Sequence, residues 1–533
     1  MEEKSLFWAD QLAEQVVERN KKEKKIVTVR SGQTPSGGKH IGNLNDPVRA
    51  YFVYKSVVEK GVKARFVNTS DDRDPLKDIP AKLADLDGNW FTSDKFTGLK
   101  KYLGQPLIRV PDPFGCCKSY AEHFASLWSQ GLYLLGIKPE EYTNDQLYKQ
   151  GKFDKYIKMV FEKKELAGEL CNKYQESKSK DYIPFDAICS NCGVLANITG
   201  FDLKAKKVSF TCGGKSIKKK KSEGCDFSGE VPWFEGKLQW RFEWPAQWDI
   251  FETTFEPFGK DHFEGSWKSG QEIAKSLFSF EPPIPYVYEF FLVNGEKMSA
   301  SKGNVYVVQD MLKIVEPEVF LYFYTKRPGK QRDLDLKNIH LLIEDFEKVE
   351  KLYFGVEKLE NQKELENLKR SYFMSQEKIS GKAPVRIPYQ FASLISQYYS
   401  DKDKILELLL NLNMIQQRDA DLKRIDLARN WVNLYAPEEA KIKLKKSVSE
   451  DIRKQLTENQ KQALKELAEV LNGVKEEDLH NLFWKIAEKN QLKPQEFFKA
   501  VYLVLLGKER GPKLAPFILT VGQKKVAEIL KNI

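Results

Sequence analysis

The stretch from Lys24 to Asp72 constrains the fold more than any other. It runs from a β-branched segment, KKIVTVR, through a turn, TPSGGKHIGNLND (Thr34–Asp46), into DPVRAYFVYKSVVEKG and out again into VKARFVNTSDD. The apolar spacing predicts a helix over roughly Asn45 to Glu59 between two strands. A strand, a crossover helix and a second strand imply a parallel sheet with right-handed connections. The glycine-rich turn then stands at a helix N-terminus, where backbone amides attract anions. Gly32, Gly37 and Lys39 nearly fit a P-loop, but an extra glycine intervenes and His40 stands where a hydroxyl is needed; G-x-G-x-x-G is absent. What remains is a Pro-Ser-Gly-Gly turn that brings His40 and Asn43 into the first helical turn. Donors placed there could stabilise a pentavalent phosphorus during nucleotidyl transfer. The alternative is a plain helix cap with a surface histidine.

A chain of 533 residues is long enough for two to four domains, and 41% hydrophobic residues suffice for their cores. The balance of 86 basic against 76 acidic residues leaves a net charge of +10, a mild lean toward a polyanion such as nucleic acid. No run of about 18 apolar residues occurs, which excludes a membrane span. The N-terminus is acidic and amphipathic rather than a secretory signal. Seven clustered cysteines fit metal sites better than disulfides, so a cytoplasmic protein is expected. Four regions emerge: an α/β half at 1–110, a cysteine-rich insertion at 111–235, the return of the α/β domain at 236–332, and a helical part at 333–533. In the third region LQWRFEWPAQWDIFETTFEPFGKDHFEG reads as strand and loop, followed by a helix from Gly270 to Phe278. In the fourth, glycine becomes sparse, and Asn472, Gly473 and Gly507 stand where helices should stop.

A second loop, KMSASKGN (Lys297–Asn304), packs two lysines, two serines and a glycine into eight residues. Lys297 and Lys302 could close over a triphosphate, although a basic loop is also compatible with simple solvation. HIGN and KMSASKGN together resemble the two nucleotide motifs of class I aminoacyl-tRNA synthetases. TPSGGKHIGN, DDRDPL, DPFGCCKSYAEHF, EWPAQW, FEPFGKDH, EFFLVNGEKMSASKGN and LLGKERGP narrow the resemblance to the lysyl form, from about Lys25 to the C-terminus. Two positions depart from the general class pattern. Asn43 replaces a histidine, and Ala300 replaces a lysine that reappears as Lys302.

The resemblance implies an α/β protein: a Rossmann-like parallel-sheet catalytic domain with a zinc-binding insertion, then an all-helical anticodon-binding domain. It implies a lysine–tRNA ligase, which makes lysyl-adenylate from ATP and L-lysine and passes the lysyl group to the terminal ribose of tRNA(Lys). ATP, Mg2+ and Zn2+ are expected, with no membrane partner and a monomeric state. His40, Asn43, Lys297 and Lys302 would be catalytic. ATP contacts would come from Thr34, Pro35, Ser36, Gly37, His40, Gly42 and Asn43, and from Lys297, Met298, Ser299, Ser301 and Lys302. Gly32, Thr34, Trp240 and His262 would line the lysine site. Two other readings compete: a nucleotidyltransferase that never meets tRNA, and a zinc-containing RNA-binding protein that has lost catalysis.

Cys189, Cys192, Cys212 and Cys225 begin with the C-x2-C spacing of structural zinc sites, against the alternative of free thiols in a small core. Asp112, Cys116, Cys117 and His123 offer oxygen, sulfur and nitrogen ligands around a Pro-Phe-Gly turn, and the resemblance makes them a second zinc set. Cys171 reads as a buried thiol. Trp240, Trp244 and Trp248 recur every four residues, but Pro245 argues against a simple helix. They could wall the stem of a lysine, with Asp261, Glu264 and Glu289 as candidate acceptors for its ammonium. In the helical part Lys423, Arg424, Arg429, Lys441, Lys443, Lys445 and Lys446 read mostly as solvated faces. Lys508 and Arg510, beside Gly511, are the best candidates for contact with tRNA.

Overall fold

The computed structural model describes residues 7–23, 25–174, 182–217, 220–299, 303–326, 330–412, 414, 418–445 and 447–533. Helix α1 (Trp8–Glu23) precedes strand β1 (Val27–Gln33), helix α2 (Asn45–Glu59) and strand β2 (Ala64–Ser70). The β-loop-α-β unit forms where the apolar spacing places it. Helix α3 (Tyr120–Leu134) leads to β3 (Glu140–Thr143). An antiparallel sheet follows: β4 (Phe185–Ile188), β5 (Leu195–Asp202), β6 (Lys207–Thr211), β7 (Ser228–Pro232) and β8 (Gly236–Leu238), in the order β7-β6-β5-β4-β8. Helix α4 (Trp240–Ile250), strand β9 (Thr253–Gly259), helix α5 (Lys268–Ser276) and strand β10 (Ile284–Tyr288) complete the α/β part.

The main sheet has the order β10-β9-β1-β2-β3, and every pairing in it is parallel. β1 and β9 are almost wholly buried, as strands covered on both faces must be. The strand order reverses between β1 and β9, and in such sheets the crevice at the carboxyl ends of the switch-point strands is where ligands sit.

The stretch expected as strand and loop does hold a strand, β9, but its tryptophan segment corrects the expectation. It is a helix, α4, with Pro245 inside it. Proline removes one backbone hydrogen bond there and bends the turn. Against that cost, i,i+4 spacing sets Trp240, Trp244 and Trp248 along one face, and Trp244 and Trp248 are 5% and 1% exposed. The backbone rule was outweighed by indole burial. The expected helix from Gly270 also starts earlier. Helical structure runs from Lys260 through a π-turn at Phe263–Trp267 into α5 and ends at Ser276. Gly270 sits in its interior because a Cβ there would come within 2.9 Å of the Trp248 ring.

The chain divides into two compact units that alternate along the sequence. The first takes 1–311, 320–334 and 357–379; the second takes 312–319, 335–356 and 380–533. In the first unit Arg370 donates to Asp10 (2.7 Å) and Glu59 (2.6 Å), tying the late segment to α1 and α2. The second unit is helical among its described residues. Arg424, read from sequence as a solvated cation, is 3% exposed and pairs with Glu316 (2.9 Å) and Glu347. Helices end before Asn472–Gly473 and at Gly507, whose φ of 69° is the left-handed cap that glycine adopts freely. No helix among the described residues is long and apolar enough to cross a membrane.

Candidate active site

The turn after β1 is stitched to its surroundings through its own main-chain groups. The Tyr120 hydroxyl donates to Ser36 O (3.2 Å), Ile41 N–H to Tyr306 O (2.8 Å), and the Tyr324 hydroxyl to Ile41 O (2.6 Å). Gly37 holds φ of 136°, with Pro80 3.0 Å from where a Cβ would be. Thr34 and Pro35 follow β1 directly, and Ser36 N–H closes on Thr34 O. His40 caps the short helix Ile41–Leu44: its Nδ1 accepts the Gly42 N–H at 3.1 Å. That bond fixes the tautomer and leaves Nε2 as an N–H donor. Burial, then Lys39 and Lys297, push the imidazole pKa down to about 4, so the ring is neutral at pH 7. Asn43 lies in the same helical turn and bonds back to His40 O.

The second loop meets the first. A Cβ on Gly42 would lie 3.1 Å from the Met298 methyl, and Met298 is buried. Lys297 Nζ rests 4.1 Å from the Phe290 ring. Asn304 shapes the loop, accepting from Ser299 N–H (2.9 Å) and donating to Lys297 O (3.1 Å). Ala300, Ser301 and Lys302 lie outside the described residues.

At the switch point a cleft opens, lined by Gly32, Asp46, Trp240, Trp244, Glu256 and His262 among others. Three of the four sequence-assigned lysine residues, Gly32, Trp240 and His262, are therefore brought together. Trp240 stacks on Trp244 (4.9 Å) and stands 5.3 Å from the His262 ring. Beneath this wall is a side-chain lattice that sequence reading missed. Glu256, in the middle of β9, accepts from Arg30 (2.5 Å), Trp244 Nε1 (3.0 Å) and Trp248 Nε1 (2.8 Å). Gln247 donates to Asp71 Oδ1 (3.1 Å) and Asn144 Oδ1 (2.6 Å), and Lys237 pairs with Asp74 (2.5 Å) and Glu243 (3.1 Å). The signal was present: a glutamate between phenylalanines in a strand, and DDRD at the end of another.

Asp46 was also missed. Its carboxylate accepts from the Tyr288 hydroxyl (2.7 Å) and has no ion pair among the described residues. Burial pushes its pKa up to about 8, despite the Tyr288 bond. Of the three carboxylates proposed from sequence, Glu289 pairs with Lys260 (2.6 Å), and Glu264 and Asp261 are 76% and 57% exposed.

Two further clusters have metal-ligand chemistry. Cys189, Cys192, Cys212 and Cys225 converge from two turns of the antiparallel sheet, with sulfurs of Cys189 and Cys225 at 3.7 Å and of Cys192 and Cys212 at 3.5 Å. Asn191 Nδ2 donates to the Cys225 sulfur, as outer partners of bound thiolates do. Asp112, Cys116, Cys117 and His123 form the other. His123 Nε2 lies 3.0 Å from Ala84 O, so it carries the proton and turns Nδ1 toward Asp112 (3.2 Å) and Cys116 (3.3 Å). Both donor sets suit zinc, S4 and S2NO. Cys171 is buried in the core of the first unit.

In the second unit the Lys508 ammonium donates to the carbonyls of Glu438 (2.6 Å) and Lys441 (2.7 Å). Arg510 is exposed; Lys446 lies outside the described residues.

Residues 6–378 match the family described as tRNA synthetases class I (K), and residues 390–533 match an anticodon binding domain. The chain is 35% identical over 542 residues to a lysine–tRNA ligase of Natronomonas pharaonis, covering 99% of this chain and 98% of that one. It is 36% identical over 534 residues to the Haloarcula marismortui lysine–tRNA ligase (98% and 96%), and 34% over 545 residues to that of Methanocaldococcus jannaschii (97% and 98%).

Proposed function

The chain belongs to the class I tRNA synthetases of the lysine type, and from that premise we propose how its cleft makes lysyl-tRNA. It is a lysine–tRNA ligase. In the first step a lysine carboxylate oxygen bonds to the α-phosphorus of ATP, and the bond to the bridging oxygen breaks, releasing pyrophosphate. In the second a hydroxyl of the terminal ribose of tRNA(Lys) attacks the adenylate carbonyl, and AMP leaves.

Neutral His40 donates from Nε2 to the phosphate as charge develops, with Asn43 beside it and the backbone from Thr34 to Gly42 around the nucleotide. Lys297, and Lys302 beyond the described residues, neutralise the leaving pyrophosphate; Met298, Ser299 and Ser301 belong to the same loop. Magnesium accompanies the triphosphate. Gly32 and Thr34 border the amino-acid end, Trp240 and His262 cover the stem, and Asp46 accepts the side-chain ammonium. The Cys189 and His123 clusters hold zinc, which supplies structure to the insertion rather than a step of the reaction. Arg510 faces the tRNA.

The observation that carries the lysine assignment is Asp46: a half-buried carboxylate, without an ion pair among the described residues, that opens into a tryptophan-walled cleft. An ammonium on an apolar stem complements both parts. The test is charging of tRNA(Lys) with labelled lysine, ornithine, arginine or glutamate. Lysine should be strongly preferred. Better charging with arginine or glutamate overturns the cleft assignment.

A further inference from the structure

The short hairpin of Lys82–Ala84 and Trp90–Thr92 belongs to neither nucleotide motif, but it touches both. Asp85 shapes its turn: Oδ1 accepts from Asp87 N–H (3.0 Å) and Asn89 N–H (2.8 Å). At its base His123 Nε2 donates to Ala84 O (3.0 Å), and Ala84 lies directly across the hairpin from Trp90. The half-buried Trp90 ring stands between the loops. The outer edge of its six-membered ring faces the glycine end of the nucleotide turn. A Cβ on Gly38 would lie 3.1 Å from that edge and 3.4 Å from Val307. The other side of the indole carries Nε1, which donates to Asp310 Oδ2 (2.9 Å). The same oxygen accepts from Val307 N–H (3.0 Å), in the segment that leaves the KMSASKGN loop. Within that loop, a Cβ on Gly303 would lie 3.5 Å from Lys82 of the hairpin. Val307 and Asp310 are buried, and all these residues belong to the first unit.

We propose that Trp90 is a positioning residue for adenylate formation, setting the spacing between the turn that holds the α-phosphate and the loop that neutralises pyrophosphate. The proposal rests on the ligase reading and deepens it. The bond from Ile41 N–H to Tyr306 O fastens the helical end of the turn to the segment after the loop. Trp90 fastens the glycine end to the same segment. Two attachments fix an orientation where one leaves a hinge. An indole suits the task because one end packs and the other donates; Gly38 admits the ring, and Asp310 holds its rotation. During the reaction charge moves from the α-phosphorus toward pyrophosphate, so the donors of both loops must already stand at the right separation. A slack separation costs more in the transition state than in ATP binding, and the loss falls on kcat.

The test is lysine-dependent ATP–pyrophosphate exchange by the full chain with tRNA(Lys) present, together with calorimetric ATP binding and thermal unfolding. Trp90→Phe keeps a ring against Gly38 and removes the donor. Its exchange kcat should fall about ten-fold, while the ATP Kd, the lysine KM and the Tm stay close to wild type. Asp310→Ala should match it, and Asp310→Asn, which keeps an acceptor oxygen, should lose less than about three-fold. Added to Lys297→Ala, Trp90→Phe should cost little further, because the loop it positions is already disarmed. Losses that multiply in that pair overturn the proposal, since Trp90 then acts without the loop. So does an unchanged kcat in Trp90→Phe, and so does a loss shared by the ATP Kd, the lysine KM and the Tm, which marks a residue that only supports the fold. If Asp310→Ala fails to fold, Trp90→Phe and its pairing with Lys297→Ala decide. A wild-type chain without lysine-dependent exchange refutes the ligase reading instead.

Discussion

The nucleotide side of the cleft and its amino-acid side are made from different materials. The nucleotide side is mostly backbone. One turn is fastened by carbonyls and N–H groups, and it presents a single neutral imidazole whose tautomer its own main chain selects. The amino-acid side is a lattice of side chains from β1, β2, α4 and β9, in which Arg30, Glu256, Gln247 and Asp71 each hold more than one neighbour. A phosphate is recognised by donors in fixed positions, which backbone supplies cheaply. A flexible aliphatic cation needs walls and a buried counter-charge, and these must be braced from below.

If that division is real, substitutions on each side should move different constants. The largest effect should follow His40→Ala, which removes one donor to the developing phosphate charge. Here kcat should fall about 10²–10³-fold, with little change in the lysine KM. A rise in lysine KM as large as the fall in kcat would break the comparison. Next, Asp46→Asn should raise the lysine KM roughly ten- to one-hundred-fold and leave the ATP KM alone, because a charged hydrogen-bond partner is lost in a buried site. Glu256→Gln should act in the same direction but less, by roughly three- to ten-fold, since it loosens the tryptophan wall without touching its surface. Steady-state kinetics with each substrate varied in turn separates the three.

The smallest signal sharpens the comparison by pH. In the free protein the Asp46 pKa lies at about 8, so the group is mostly protonated at neutral pH. Lysine carries its own positive charge, and its binding lowers that pKa. Binding near pH 7 should therefore release about one proton, and the release should fade as pH rises past 8. Calorimetry in buffers of different ionisation enthalpy reads this directly. The same shift carries a stability sign. The folded state holds the proton more tightly than the unfolded chain, so this group's contribution is greatest at low pH and is lost as pH rises toward 8.

The same contrast explains what could be read in advance. The nucleotide loops are contiguous words, HIGN and KMSASKGN, and the β-loop-α-β unit around the first is set by local spacing. The cysteines were visible for the same reason. Arg30, Asp46, Asp71 and Glu256 were not, because their meaning depends on partners far along the chain: 226 residues separate Arg30 from Glu256, 242 Asp46 from Tyr288 and 176 Asp71 from Gln247. The tryptophan helix was misread because Pro245 is a local signal, and the burial that outweighs it is not local.

The alternation of the two units along the chain has a consequence for synthesis. Arg370, which closes the Asp10–Glu59 carboxylate pair, lies in the last stretch of the first unit. A nascent chain emerges from its N-terminus onward, and domains fold as units. The catalytic half can form its cleft early, but it gains the ion pairs of Arg370 with Asp10 and Glu59 only after residue 370 has left the ribosome. By then 312–319 and 335–356, which belong to the other unit, have already been made. The catalytic half therefore cannot finish before the helical half has begun, and any truncation between them strands a piece of one within the other.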